Sequence, residues 1–195
     1  MKTAHRALIA LAALLLIGLY FLPMWEITLE APQYPKGNEL GVHIYVNDVR
    51  GARPNDLQNL NGLNHYIGMK KIEPDSIKEL AYMPYIVAGM IGLGLITAVV
   101  GKRWMLAIWL IIIILVGAVG IYDFYLWLYD YGHNLDPHAA IKIEGMSYQP
   151  PIIGKAQLLN FTVYSFPAIG FYFIGAGWVL GAVTWWMSRT SVDKK

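Results

Sequence analysis

The sequence predicts a mainly α-helical integral membrane protein, with four transmembrane helices and two long periplasmic segments, the first containing short β-strands. Three observations predict it. Of 195 residues, 56% are hydrophobic and only 14% charged, against roughly 25% charged in a soluble domain. The apolar residues are bunched into four runs near or above the ~18 residues that read as a membrane span. Basic residues crowd the short flanks of those runs. The chain divides into an N-terminal anchor (1–23), a first polar segment (24–80), two spans (81–128), a second polar segment (129–160), and a last span with its tail (161–195).

The first apolar run, ALIALAALLLIGLYFLP at 7–23, follows the basic MKTAHR and has the outline of a signal peptide. Its apolar stretch is long, and LYFLPMW stands where a small-x-small cleavage site would be, so it reads as an uncleaved anchor. WEITLE and GVHIYVNDV then alternate apolar with polar residues, the period of half-buried strands. APQYPKGNE and GARPNDLQNLNG read as loops. NGLNHYIGMKKIEPDS, residues 61–76, begins as a short helix and is stopped by Pro74, because proline disfavours helix at Glu73.

The second span covers 82–100 and ends at GKR; the third runs from Trp104 to about Leu128. YDYGHNLDPHAAIKIEGMSYQPPIIGKAQLLN fills 129–160, and the last span runs from Phe161 to Met187. The tripeptide KIE stands in both polar segments, at 71–73 and 142–144, too short to mark a repeat. GMIGLG in the second span and GAGWVLG in the fourth offer small-residue faces for close helix packing, or are glycines of the kind frequent in membrane helices.

Charge sets the orientation. Lys2, Arg6, Lys102, Arg103, Arg189, Lys194 and Lys195 lie in the three short flanks against one acid, Asp193. Basic residues concentrated in short flanks mark the cytoplasmic side, so both termini are expected inside and both polar segments outside. Trp25 and Trp127 then fall at outer ends and Trp104, Trp185 and Trp186 at inner ends, as an interfacial aromatic belt requires.

Several chemistries are excluded. No cysteine is present, which removes disulfides, thiolate metal sites, CxxC redox motifs and cysteine nucleophiles. No nucleotide loop, HExxH or GxSxG motif occurs. No basic groove with interleaved aromatics points to nucleic acid.

What remains is a set of soft and borderline donors. His43, His65, His133 and His138 fall on the outer side with Met24, Met69, Met83 and Met146, leaving only His5 inside. Imidazole together with thioether favours copper. His65 and Met69 stand at i and i+4 and would share a helix face. Either they hold a metal ion, or His65 bonds a loop carbonyl while Tyr66, Ile67 and Met69 pack and Asn61 and Asn64 cap backbone groups. YDYGHNLDPH gathers Asp130, His133, Asp136 and His138. Asp136-Pro137 reads as an N-cap followed by proline, with His138 in the first turn of a short helix. His133 follows Gly132 in a predicted turn, has no such structural duty, and is the better ligand. His43 sits on the polar face of a strand and reads as solvated.

Asp123 lies inside the third span, where a carboxylate usually faces a partner or a water-filled cavity. With Trp127 and Asp130 it follows an i, i+4, i+7 pattern that places both carboxylates on one face. It is either a proton or cation acceptor below the outer site, or a carboxylate bonded to Tyr122 or Tyr125.

At these motifs the chain resembles a known family. LEAPQYP, NGLNHYIGMKKIEPDS, DFYLWLYDYGHNLDP and GMSYQPPIIGKAQLLNFTVYSFP are similar to phrases of the NosB-like proteins, small four-span bacterial membrane proteins. The genes of that family accompany nitrous oxide reductases of the atypical cluster type and copper-handling accessory proteins. The resemblance covers around half the chain and implies a context in denitrification: a periplasmic multi-copper enzyme that needs copper outside the inner membrane.

Together these readings give one leading expectation. The protein is a non-enzymatic accessory factor of the bacterial inner membrane that binds copper transiently through His65, Met69, His133 and Met146. Asp123, Asp130, Asp136 and His138 serve as proton or supporting positions. Its partners are the bilayer and a periplasmic copper enzyme or other accessory membrane proteins. Two alternatives stand beside it. One is an electron-transfer or quinol-interacting subunit supplying the reductase, with Asp123 as proton acceptor; the absence of histidine from the spans weighs against haem there. The other is a metal-free scaffold.

Overall fold

Four helices are long and apolar enough to cross a membrane. The computed structural model describes residues 1–141 and 145–189. The second KIE tripeptide and the tail residues Asp193, Lys194 and Lys195 lie outside the described residues. The first helix, α1 (Thr3–Leu15), tightens into a 3₁₀ turn over Leu16–Tyr20. Then come strands β1 (Trp25–Glu30), β2 (Leu40–Ile44) and β3 (Val49–Gly51), and helix α2 (Asp56–Ile67). Helices α3 (Lys78–Val100) and α4 (Arg103–His133) follow, then β4 (Gly154–Leu158), β5 (Phe161–Pro167) and α5 (Ile169–Met187).

The strands form one antiparallel sheet in the order β3-β2-β1-β5-β4. Its centre, β1, pairs on one side with β2 of its own segment and on the other with β5 from the second segment, Trp25 opposite both Ile44 and Pro167. Both polar segments therefore build a single lid, and the predicted strands of the first segment are present.

Three boundaries differ from expectation. The last span does not start at Phe161: FTVYSFP forms β5, and the helix begins at Ile169. Those seven residues are apolar enough to extend a span, but their β-branched and aromatic side chains alternate, with Val163 and Ser165 buried and the residues between them less so. Helix α2 begins at Asp56, inside the predicted loop, and stops well before Pro74. It ends because Gly68 takes φ 80°, with Gly68 N–H bonded to His65 O and Met69 N–H to Asn64 O, the paired bonds of a Schellman cap. Helix α4 continues past the predicted end to His133.

The bundle is closely packed at one end. A Cβ added to Gly94 would stand 2.7 Å from Ala13 and 2.9 Å from Trp109; at Gly177 it would stand 2.8 Å from Ala12 O, and at Gly181 2.9 Å from Leu110. These glycines let α1, α3, α4 and α5 approach closely, as small residues do in membrane bundles. Gly89, Gly92 and Gly175 of the same motifs meet nothing within 4 Å, so close packing explains only half of the glycines there. Trp109 is fully buried and its indole N–H donates to Met90 O at 2.8 Å.

The same end gathers the N-terminus, the turn between α3 and α4, and the end of α5. The Met1 ammonium donates to Gly101 O at 3.0 Å, and Arg103 and Arg189 both lie 4.4 Å over the Trp185 ring. The basic flanks thus share one end of the bundle and the sheet occupies the other. Trp104 and Trp186 are largely exposed here, as belt residues are. Trp25 is not one: it is buried, donates its N–H to Ser165 Oγ at 2.8 Å, and packs on Phe124 and Phe171 between sheet and helices.

Candidate functional site

Between the lid and the helices lies a cavity of about 260 Å³. Its walls follow from residue spacing. On α4, Ile113, Gly117, Gly120, Phe124, Trp127 and Tyr131 recur every three or four positions and therefore share one face. Leu80, Met83, Val87 and Met90 do the same on α3. Ile27 and Leu29 of β1, Val42 of β2 and Val163 of β5 form the roof, and Leu60, Leu63 and Ile67 of α2 close one side. Helix α4 buries Leu106, Trp109, Leu110 and Ile113, then no residue until Leu128. Part of that stretch, including Gly117, Gly120, Phe124 and Trp127, faces the cavity, whereas Ile114, Leu115, Val119, Tyr122 and Leu126 are exposed away from it. A Cβ at Gly117 or Gly120 would meet nothing within 4 Å, so these glycines widen the space and bring no helices together.

An apolar space of this size left empty would cost on the order of several kcal/mol in lost contacts. Water gains little in it, since a buried water needs two to four polar partners. The polar groups on the wall are few. Asn64 donates to the Tyr131 hydroxyl at 2.5 Å, joining α2 to α4. Tyr148 lines the cavity but its hydroxyl is fully buried, with no hydrogen-bond partner among the described residues. Glu79 of α3 and Asp123 of α4 also line the cavity and lie within electrostatic reach of each other. Among the described residues, no lysine, arginine or histidine lines it.

The residues expected to bind copper are placed differently. His65 and Met69 do not share a face, because the helix ends between them at Gly68; His65 is exposed while Met69 turns into the apolar core beneath the sheet. Met146 packs against that same core. His133 is exposed but not idle. It lies in the last turn of α4, not in a turn of its own, with Nδ1 3.0 Å from Tyr129 O and its ring stacked 4.0 Å from that of Tyr129. Two histidines face outward and two methionines face inward, so His65, Met69, His133 and Met146 do not fit one copper ion in this conformation. Among the described residues, no three of His, Asp or Glu converge as a metal cluster either.

The supporting carboxylates also separate. Asp123 lines the cavity and bonds neither Tyr122 nor Tyr125, whereas Asp130 points to solvent and pairs with Lys70 at 2.7 Å. Asp136 starts a turn and not the predicted helix: its Oδ1 accepts the His138 backbone N–H at 2.8 Å. That bond holds its carboxyl below the usual carboxylate range, with His138 and then His65 contributing less. Asn61 does serve backbone groups as expected, bonding both the N–H and the C=O of Ile72.

What the segments do share is a clamp. Asp136 N–H donates to Gly68 O, Ile141 N–H to Tyr66 O, and Tyr148 N–H to Gly132 O, each at 2.8–2.9 Å. A Cβ at Gly132 would run into the backbone of Gln149, so only glycine allows that approach. The cavity-lining Gly117, Gly120, Tyr131 and Tyr148 were not among the residues singled out from sequence. The glycine pair inside the heptad-like stripe of α4 was the available signal. Compared with protein-family models and with curated proteins, the chain matches none.

Proposed function

We propose that this chain is a multi-pass protein of the bacterial inner membrane that holds an apolar molecule from the bilayer in the cavity between its lid and its helices. The single observation that carries the reading is that cavity: walled by two helical stripes, roofed by the sheet, and widened by two glycines that touch nothing. Pockets of this character, apolar with a few convergent polar groups, are the usual small-molecule sites of proteins. The basic flanks at the opposite end support cytoplasmic termini and a periplasmic lid.

The resemblance to NosB-like proteins suggests the setting: an accessory role to a periplasmic copper enzyme, nitrous oxide reductase. In this reading copper belongs to the enzyme served and is not held by the four donors His65, Met69, His133 and Met146. Of the alternatives, the quinol-interacting subunit agrees better with an apolar cavity than the copper carrier or the plain scaffold does.

The test fills the space. Gly117→Leu with Gly120→Leu places two side chains in the cavity, and no existing atom stands against either new Cβ. Wild-type protein purified in mild detergent should carry a stoichiometric apolar molecule detectable by mass spectrometry of an organic extract. The double variant should fold with an unchanged or higher unfolding temperature and carry none. Equal small-molecule content in the two proteins defeats the reading.

A further inference from the structure

The basic end of the bundle carries positive charge that nothing described there neutralises. No Asp or Glu occurs at 1–25, 80–122 or 145–189. Some of the cations have a structural task. The Met1 ammonium donates to Gly101 O at 3.0 Å and Arg6 Nη2 to Val100 O at 3.3 Å, which satisfies carbonyls at the end of α3. Arg103 and Arg189 have no such task. Neither guanidinium makes a hydrogen bond or ion pair among the described residues, yet both are held 4.4 Å from the centre of the Trp185 ring. Two like charges beside one ring repel each other, and the cation–π contacts offset only part of that.

The surroundings suit an anion. Arg103 is half-buried: its Nε is enclosed with no acceptor, whereas its terminal amines remain open and are the atoms a ligand would meet. Arg189 is exposed. The N-termini of α1 and α4 lie at the same end, and neither has a side-chain cap or an acid in its first turn. Their free N–H groups and dipoles add to the positive field. A guanidinium presents paired N–H groups that match the oxygens of a phosphate.

The level of the site points to where the phosphate comes from. Trp104 and Trp186 are exposed neighbours of the two arginines, as aromatic side chains are at the headgroup level of a bilayer. Exposed apolar stripes run from there along the helices, Trp104, Ile108 and Ile111 on α4 and Trp186, Val183 and Val179 on α5. A ligand with a phosphate head and hydrocarbon chains meets both the charges and the stripes. We propose that Arg103 and Arg189 bind the phosphodiester head of an anionic phospholipid, with Trp185 holding the two guanidiniums in place. Basic pockets between membrane helices on the cytoplasmic side take acidic lipid heads in this way. The site lies at the opposite end from the lid cavity and does not depend on it.

The experiment incubates full-length protein in dodecyl maltoside with equal amounts of phosphatidylglycerol and phosphatidylcholine, and counts retained lipids by native mass spectrometry. Wild type should retain phosphatidylglycerol in preference. Arg103→Gln with Arg189→Gln should weaken that retention about tenfold or more, the loss expected when charged hydrogen bonds are removed. Lys2→Gln with Lys102→Gln removes equal charge from exposed positions at the same end and should change retention by less than about twofold. Arg103→Lys with Arg189→Lys keeps the charge but loses the paired N–H groups, and should fall between the two. No preference in wild type overturns the proposal. So does unchanged retention in either arginine variant, or an equal loss in the Lys2, Lys102 variant, which would make this a diffuse field and not a site. Inorganic phosphate that displaces the lipid at equal concentration assigns the arginines to a soluble anion and overturns the lipid. The Gly117→Leu, Gly120→Leu protein should keep its phosphatidylglycerol. If that variant loses it, the lipid sits in the cavity, and this proposal falls while the cavity reading stands.

Discussion

The two halves of the helical bundle use the same residues to opposite ends. At the basic end, glycines sit under 3 Å from where a neighbour would strike a Cβ, and Trp109 is fully enclosed. At the lid end, Gly117 and Gly120 of α4 face open space and α4 buries nothing between Ile113 and Leu128, although a Cβ at Gly170 of α5 would still stand 2.8 Å from Pro23 O. The difference teaches that a glycine in a membrane helix has no fixed meaning. Where a neighbouring helix closes on it, it is a packing device; where none does, it is room.

The comparison can be broken by truncation. Trp109→Ala should destabilise the protein by about 3–5 kcal/mol, read as a lowered unfolding temperature in detergent. Phe124→Ala, removing an aromatic ring from the hollow half, should cost less than half of that. Similar losses at both positions would mean that the halves are packed alike. The next effect is smaller and sharpens the comparison. Asn64→Ala leaves the buried Tyr131 hydroxyl without its donor and should cost about 1–3 kcal/mol, with faster proteolysis of the second polar segment. Smallest of all is Lys70→Ala. Its partner Asp130 is exposed, and such surface pairs contribute ~1 kcal/mol or less. A loss as large as that of Asn64→Ala would show the outer pair, not the inner one, to be the clamp.

Much of the helical architecture was legible because long apolar runs and their basic flanks appear locally in the sequence. The strands β1 and β2 showed their alternation. β5 did not, because FTVYSFP joins an apolar span without a polar break, and only pairing with β1 separates the two. The His65–Met69 pair was misread through one residue: the left-handed turn at Gly68 rotates Met69 inward, and four-residue spacing loses its meaning there. The cavity was illegible for a different reason. Its walls come from α2, α3, α4, α5 and all five strands, and no window of sequence contains them together.

The central position of β1 has a consequence for biogenesis. Trp25 and its hydrogen-bond partner Ser165 are 140 residues apart, so during synthesis β1 stands with one edge bare until α3, α4 and then β5 have been made. Pairing that distant is slow, and an unpaired strand edge invites wrong partners in the interval. The newborn sheet is therefore complete only once β5 has emerged. A chain interrupted before β5 would display an open strand edge and be prone to mispairing.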